Sequence, residues 1–181
     1  MFCSLFRDRI FDTLLIDKFN YIFESAMSDD AYACRVGKGT LYGAKRIYGR
    51  FNEESKKHEE YWVLKIDIRG FFMSINREML YNILTSIIMD KYHEEDLTWW
   101  LWLLRIVVTH DPTTDCVRVV DKKLFGMIPK EKSLFGNTGN GTPIGNTMSQ
   151  VSENVMMAPF EKWVKNYSND IVFGRYVDDI S

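Results

Sequence analysis

Apolar residues recur along this chain with a helical period in some stretches and fill continuous runs in others, so helices and strands are both predicted. The first helix is predicted over residues 7–27, where an apolar stripe lies opposite the polar residues Asp12, Asp17 and Lys18. The stripe consists of Phe11, Leu14, Leu15, Phe19, Ile22 and Phe23. A shorter helix is predicted over residues 41–48, followed by a charged surface connection at 51–60.

Three further helices are predicted along the rest of the chain. Residues 74–90 form one, with Asn76 at its N-cap, and the apolar run at 96–108 forms another because it is too long for most strands. The third covers residues 146–164 and bends at Pro159, whose ring cannot continue the helical hydrogen-bond ladder. Residues 110–140 are predicted to be irregular, with a short hairpin at 117–126.

Two strands are predicted, and both lead to acidic residues. "YWVLKIDI" at 61–68 has apolar or aromatic residues on both faces, which is typical of a buried central strand. "DIVFGRYV" at 170–177 directly precedes Asp178 and Asp179. The order of helices, strand, helices and strand predicts an α/β (α+β) fold with acids at the strand ends.

The composition limits the classes of protein that fit this pattern. Of the 181 residues 46% are hydrophobic, enough for one sizeable core, and the net charge of −2 excludes a uniformly basic nucleic-acid coat. Three cysteines without a CxxC pair and three dispersed histidines predict neither a disulfide framework nor a zinc site. No apolar run is long enough for a membrane span and no signal peptide is recognised, so we expect a cytoplasmic protein without a membrane partner.

Asp67, Asp178 and Asp179 are the candidates for chemistry. Ionised carboxylates are hard oxygen ligands that suit Mg²⁺. Side by side in a sheet, they could hold two ions roughly 3.5–4 Å apart, the arrangement that promotes phosphoryl transfer. A lone aspartate at a strand end is more often a turn or cap residue, and that alternative stays open for Asp67 taken alone.

Three motifs resemble those of reverse transcriptases, in the same order. "LKIDIRGFFMSI" is similar to their aspartate-bearing palm strand, "GTPIGNTMSQ" to the turn and helix that contact template and primer, and "GRYVDDIS" to their YxDD hairpin. Upstream, "FRDRIFDTLL" and "AYACRVGKGTLYGAK" resemble the fingers of bacterial enzymes, especially those of diversity-generating retroelements and their group II intron relatives. "IPKEKSLFGNTGNGTPIGN" resembles the same subgroup.

The resemblance implies a bacterial RNA-templated DNA polymerase with a partial right-hand fold, in which helices pack on a palm sheet. Residues 1–60 would be partial fingers and residues 61–181 the palm, with fingers-type helices within residues 76–140. Two Mg²⁺ ions, for which Mn²⁺ can substitute, would be held by the catalytic Asp67, Asp178 and Asp179, with the Ile68 carbonyl as a further ligand. Tyr176 would pack under the primer end, or it is an ordinary strand aromatic.

Phe72, five residues after Asp67, is implied to select the sugar of the nucleotide. Reverse transcriptases similarly place a bulky aromatic residue there, which leaves no room for a ribose 2′-OH, whereas RNA-dependent RNA polymerases tend to place an acid. A phenylalanine after a strand is otherwise a core residue, as we predict for Phe71. The implied substrates are dNTPs, an RNA template and a DNA or RNA primer.

The turn "GNGTPIGN" at residues 139–146 either contacts the nucleic acid or is an ordinary loop that opens a helix. Its glycines tolerate backbone shapes that other residues resist, and Gly145 would lie beside the nucleotide. Ile144 stands where many relatives carry Gln, a form similar to the error-prone diversity-generating group. Thr142 and Glu153 depart from the usual Leu and small residue. The implied template and primer contacts are Pro143, Ile144, Ser149 and Gln150.

Residues 32–50 contain five basic side chains and no acid, so this stretch can neutralise phosphates. By resemblance to the fingers motif, Arg35 and Lys38 are candidates for binding the triphosphate or the template. Lys45, Arg46 and Arg50 are instead assigned to the solvated face of a helix.

The family's fingers begin further upstream and its palm and thumb continue after the YxDD motif, so the chain is interpreted as a fragment without the returning strand of that hairpin. We expect the fragment to be inactive alone, to self-associate through an unpaired strand edge, and to act with an accessory protein. Two alternatives stay open: a group II intron or abortive-infection type of enzyme, and a catalytically inactive RNA-binding palm module. The intact Asp67, Tyr176, Asp178 and Asp179 argue against the inactive module.

Overall fold

The computed structural model of the chain describes residues 5–114, 124, 127–129, 132–135, 139–168 and 171–181. The hairpin predicted at 117–126 lies outside these residues except for Leu124. The helices with bounds in the described ranges are α1 (Phe6–Ala26), α2 (Thr40–Lys57), α3 (Phe71–Ser74), α4 (Arg77–Lys91), α5 (Leu97–Thr109), α6 (Thr147–Met156) and α7 (Ala158–Tyr167). The strands are β1 (Ile66–Asp67), β2 (Arg175–Tyr176) and β3 (Asp179–Ile180).

Helix α1 confirms the first predicted helix, but its buried side differs from the predicted stripe. Phe11 and Leu14 are exposed, whereas Asp12 is buried, so the assignment of Asp12 to the polar side was wrong. Asp12 precedes Leu15 by three residues, and the helical period therefore places both on one side. The buried apolar residues of α1 are Leu15, Phe19, Ile22 and Phe23.

Helix α2 runs to Lys57 and includes most of the stretch predicted as a charged connection. Its last turn carries an ion pair between Lys57 Nζ and Glu54 Oε1, 2.8 Å apart. Oppositely charged side chains three or four residues apart stabilise an exposed helix. A helix can therefore continue here although residues 51–57 contribute no buried stripe.

Helices α4 and α5 confirm the next two predictions and pack against each other. The Asn76 side-chain oxygen accepts a hydrogen bond from the main-chain N–H of Met79 at 2.9 Å, so the predicted N-cap is confirmed. Leu84 of α4 and Leu104 of α5 are fully buried.

The single bent helix predicted at 146–164 is two helices. Helix α6 ends at Met156 and α7 begins at Ala158, with Pro159 in the first turn of α7. Proline is tolerated there because the N–H groups of a first turn have no intrahelical acceptor. The chain therefore breaks before the proline instead of bending at it.

The three strands form one antiparallel sheet in the order β1-β3-β2. Of the strand predicted at 61–68 only Ile66–Asp67 pairs, at an exposed sheet edge, and Trp62 is 93% exposed. The prediction of a long, buried central strand was wrong, since β3 pairs only two residues with each neighbour. Strand β2 is likewise shorter than the predicted 170–177.

The returning strand of the hairpin is present, contrary to the prediction. Asp179–Ile180 forms β3, which is the central strand and pairs with both β1 and β2. The two aspartates therefore do not both end a strand: Asp178 lies in the turn, and Asp179 begins β3.

The chain divides into two compact units. The first comprises residues 1–23 and 70–153, and the second residues 24–69 and 154–181. The mixture of helices with one small sheet confirms the α/β (α+β) class. The division into fingers at 1–60 and palm at 61–181 stays a prediction. Within the described ranges, no helix is long and apolar enough to cross a membrane.

Candidate active site

The hairpin of β2 and β3 belongs to the second unit and carries two of the candidate acids. Gly174 and Ser181 close its open end with main-chain hydrogen bonds in both directions, at 2.6 and 2.9 Å. Because Tyr176 pairs with Asp179, the turn consists of Val177 and Asp178 alone. Val177 has a φ of 58°, which two-residue hairpin turns favour but a β-branched residue rarely adopts. The turn therefore contains local backbone strain at the residue before Asp178.

The pairing of the strands places Asp67 opposite Asp179, and Asp179 opposite Tyr176. Directly opposite side chains of an antiparallel pair lie on one face, with Cβ atoms about 4.5–5.5 Å apart. All three side chains of this row are exposed, whereas Ile180 and Arg175 on the other face are buried. The structure thus brings Asp67 and Asp179 together on the solvent-facing side of the sheet, with Tyr176 in the same row.

The donor chemistry of this face suits a divalent cation, because carboxylate oxygens are hard ligands. The nearest ion-pair partner recorded for Asp179 is the exposed Lys65, with 4.0 Å between Nζ and Oδ1. Within the part of the chain that the structure describes, no group of three or more His, Cys, Asp or Glu side chains is placed to hold a metal ion. The structure therefore shows two acids paired across neighbouring strands, Asp67 and Asp179. A metal centre that also includes Asp178 is an inference beyond this pairing.

Arg175 of β2 is buried on the face of the hairpin opposite the exposed acids, and its guanidinium makes several hydrogen bonds. Its Nη1 donates to the Val177 carbonyl at 2.8 Å, and its Nη2 donates to the Asn154 carbonyl at 2.9 Å. Its Nε donates to Glu161 Oε1 at 2.7 Å, and Nη2 contacts the same oxygen. Burial lowers the pKa of Arg175, although the charge of Glu161 opposes this shift. The hydrogen bonds of Arg175 thus connect the strained turn to the buried interior of the unit.

Glu161 completes this network. Its Oε2 accepts from the main-chain N–H of Ser28 at 2.7 Å, so both carboxylate oxygens are hydrogen-bonded. The side chains of Arg175 and Glu161 are 0% and 1% exposed. A buried ion pair of this kind is tolerated because additional hydrogen bonds satisfy the donors and acceptors that the pair itself does not use.

A second buried acid, Asp30, engages the basic residues of α2. Arg46 Nε lies 2.8 Å and Arg50 Nη2 2.9 Å from Asp30 Oδ1, and Lys165 Nζ lies 3.3 Å from Oδ2. Burial alone would raise the pKa of Asp30, but the hydrogen bond from Arg46 and the charges of Arg50 and Lys165 lower it below its usual value. Arg46 and Arg50 therefore have a structural partner, which differs from the predicted solvated face.

Arg35 and Lys38, the predicted triphosphate or template ligands, are engaged within the second unit. Arg35 Nε donates to Glu24 Oε2 at 2.8 Å and Nη1 to the Ala31 carbonyl at 3.0 Å. Lys38 Nζ donates to the Asp29 carbonyl at 3.0 Å. Phosphate binding by either residue would have to replace these contacts, and the role stays a prediction for both.

The remaining predicted site residues belong to the first unit. Phe71 is buried, as expected for a core residue, and the half-buried Phe72 packs edge-on against it with ring centroids 5.5 Å apart. Gly145 has a φ of 96° and is exposed, so the turn uses the conformational freedom predicted for it. Of the predicted template contacts, Ile144 and Gln150 are exposed, Pro143 is half-buried and Ser149 is buried.

Four residues of these networks were not identified as site residues from the sequence. One signal was present: an arginine inside the apolar run "IVFGRYV" requires a partner if that run is buried. Nothing local identifies the partners, which lie 14 and 21 residues away. The four residues are Glu161, Asn154, Arg175 and Asp30.

A comparison with protein families identifies the class of the chain. The family of reverse transcriptases (RNA-dependent DNA polymerases) matches residues 2–181, and the helices with a small sheet are consistent with part of that fold. The chain belongs to this family and is an RNA-directed DNA polymerase, a nucleotidyltransferase. The family acts on a nucleic-acid template and primer and on nucleotides, and it generally uses divalent metal ions. No curated protein matches the chain.

Proposed function

We propose that the chain catalyses RNA-templated DNA synthesis with two Mg²⁺ ions held by Asp67, Asp178, Asp179 and the Ile68 carbonyl. The observation that supports this most strongly is the register that places Asp67 opposite Asp179 on the exposed face, with Asp178 in the adjoining turn. Two such ions, when bound, would stabilise the charge that develops during phosphoryl transfer and activate the attacking primer oxygen. Mn²⁺ offers the same preference for oxygen ligands and is expected to substitute.

The chain's own residues position the reactants in this proposal. Tyr176 lies in the same exposed row as Asp179 and would support the primer end. Phe72 would close the site to a ribose 2′-OH. Positioning of this kind supplies a large part of the catalysis when the chemistry itself needs little from the protein.

Further contacts with the substrates are proposed for two groups of residues. Exposed Ile144 and Gln150, with Pro143 and Ser149, would contact the template and primer, and the open backbone of Gly145 admits close approach of a nucleotide. Arg35 and Lys38 would bind phosphates if a substrate replaced their present partners. The assignment to a bacterial enzyme of the diversity-generating or group II intron type is supported by the motifs alone, and a cytoplasmic location stays a prediction.

The test combines activity with metal binding. Because the 181 residues are expected to be inactive alone, the activity test uses a protein that joins them to the rest of a palm and a thumb. We expect primer extension on an RNA template by this protein and its loss, by at least three orders of magnitude, in Asp178→Asn. Mn²⁺ titration followed by electron paramagnetic resonance should show weaker binding in Asp67→Asn and Asp178→Asn, because each removes one charged ligand. Glu53→Gln, which removes an exposed acid of α2, is the matched control and should change neither property.

Two outcomes would contradict the proposal. Unchanged Mn²⁺ affinity in both aspartate variants would exclude these acids as metal ligands. RNA binding without primer extension in either metal would favour the RNA-binding module instead. Whether the 181 residues are inactive alone, self-associate or need an accessory protein stays a prediction, which primer extension and light scattering can decide.

A further inference from the structure

Thr142 and Glu153 both depart from the residues that the family resemblance leads one to expect, and the structure brings them into contact. The Thr142 hydroxyl donates a hydrogen bond to Glu153 Oε1. Thr142 is 4% and Glu153 0% exposed, so the contact is shielded from water. A leucine paired with a small residue would fill this space without polar groups. The two departures are therefore complementary to each other.

The same threonine holds the main chain of Phe72. The N–H of Thr142 donates to the Phe72 carbonyl at 2.9 Å, and the Thr142 hydroxyl oxygen lies 3.3 Å from that carbonyl oxygen. A hydroxyl group has one proton for these two acceptors. Because the carboxylate is the stronger acceptor, it takes the hydroxyl proton, and the main-chain N–H carries the bond to Phe72.

The segment that contains Thr142 is fixed along its length. The N–H of Gly141 donates to the Ile75 carbonyl at 2.8 Å, and the Arg77 N–H donates to the Gly139 carbonyl at 3.2 Å. Arg77 Nη1 also donates to the Gly141 carbonyl at 3.2 Å. Helix α3 and the chain that follows it are thus joined to the glycine-rich turn, and Thr142 makes the contact with Phe72 inside the helix.

We propose that the Thr142–Glu153 pair is a positioning element that sets how far the Phe72 side chain projects and thereby determines the selection of the nucleotide sugar. This inference rests on the proposed role of Phe72. The contact fixes the position of the Phe72 main chain, and packing against Phe71 fixes the direction of the ring. Glu153 fixes Thr142 in turn, because its carboxylate is buried on α6 and binds the hydroxyl.

The experiment uses the same thumb-containing protein and measures the ratio of kcat/KM for a dNTP to that for the matching rNTP, since a merely structural role would lower both values without changing their ratio. We expect Phe72→Ala to lower the ratio by on the order of a hundredfold or more. Thr142→Val and Glu153→Leu, which remove the donor and the acceptor of the buried hydrogen bond, should each lower it by on the order of tenfold, which corresponds to a difference of about 1.4 kcal/mol. Thr142→Ser, which keeps the hydroxyl, should stay within about twofold of the wild type.

Two further variants complete the design. Thr142→Leu combined with Glu153→Ala should restore much of the ratio, because it removes the donor and the acceptor of this buried hydrogen bond together. Thr109→Val removes an exposed hydroxyl that bonds only within α5 and should leave the ratio unchanged. If Thr142→Val does not fold, Glu153→Leu, which has a similar size but no acceptor oxygen, decides the question.

The two levels of inference fail differently. An unchanged ratio in Phe72→Ala would refute the proposed role of Phe72, whatever the other variants show. A changed ratio in Phe72→Ala with an unchanged ratio in Thr142→Val and Glu153→Leu would leave that role intact and overturn the positioning by the Thr142–Glu153 pair.

Discussion

Replacing Glu161 by glutamine should destabilise the protein far more than the loss of one ordinary ion pair. Glu161 is the only carboxylate recorded within ion-pair distance of Arg175 among the described residues, and both side chains are buried. The variant leaves the guanidinium charge in the interior with only the Val177 and Asn154 carbonyls and a neutral amide as acceptors. The Ser28 N–H and the Arg175 donors would then compete for the single amide oxygen.

The size of the effect follows from this burial. Removing one partner of a buried ion pair costs about 3–5 kcal/mol, because the remaining charge loses its compensation without returning to water. For a chain of this length, each kcal/mol lowers the melting temperature by roughly 2–4 °C. We therefore expect Glu161→Gln to lower the melting temperature by about 6–20 °C.

The assay is thermal and urea unfolding followed by far-ultraviolet circular dichroism, with an exposed ion pair as the control. Arg105 and Glu78 lie 3.1 Å apart on α5 and α4, with side chains 52% and 56% exposed. Glu78→Gln should cost no more than about 1 kcal/mol, because solvent screens an exposed pair. The double variant Glu161→Leu with Arg175→Met should be more stable than either single change, since no buried charge remains.

Equal, small losses in Glu161→Gln and Glu78→Gln would refute the reasoning. Such a result would mean that water reaches Arg175 or that the interior rearranges to compensate it. The expected large loss would instead support a buried Arg175 that holds the turn before Asp178.

Three other changes test separate features of the structure. Burial raises the pKa of Asp12 to about 6 from 3.8, although a hydrogen bond from Asn146 opposes the shift, so its contribution to stability is lost as pH rises from about 4 to 6. Asp12→Asn should therefore raise the free energy of unfolding at pH 7 by up to about 3 kcal/mol. The melting temperature of the variant should vary less with pH than that of the wild type, and a steeper dependence would contradict this. Gly141→Ala should destabilise the protein by about 1–3 kcal/mol more than Gly145→Ala. Both glycines have positive φ, but only at Gly141 would a Cβ overlap a neighbouring side chain. Equal denaturant midpoints for the two variants would contradict this prediction. Asn76→Ala should cost about 1 kcal/mol in urea unfolding and Asn76→Asp much less, because only alanine removes the N-cap acceptor.

The long helices could be predicted from the sequence because their signals are local. The apolar period of α1 and the run of α5 are each contained in the segment that they describe, and Asn76 supplies a cap one residue before α4. The face of a helix depends on what packs against it, and that is why Asp12 was assigned to the wrong side. The extension of α2 was missed because ion pairs, not an apolar stripe, accompany its last turns.

The strands could be predicted only in part because pairing is not local. "YWVLKIDI" has the composition of a long strand, but only Ile66 and Asp67 find a partner, since β3 is two residues long. Conversely, Asp179 and Ile180 gave no strand signal of their own. They are a strand because β1 and β2 flank them on either side.

The candidate acids could be named from the sequence, and their role stays a prediction, but the distribution of charge around them could not be predicted. The exposed face of the sheet presents Asp67 and Asp179, while the buried cation on the opposite face, Arg175, is matched by Glu161. The charges of Arg175 and Glu161 therefore cancel, so the hairpin contributes little net positive charge on the face opposite the acids. The exposed carboxylates remain directed to solvent. Arg35 and Arg46 are likewise matched by acids. A polyanionic substrate thus meets few unengaged cationic donors among these residues, which supports the proposal that divalent ions at the exposed acids would neutralise its phosphates.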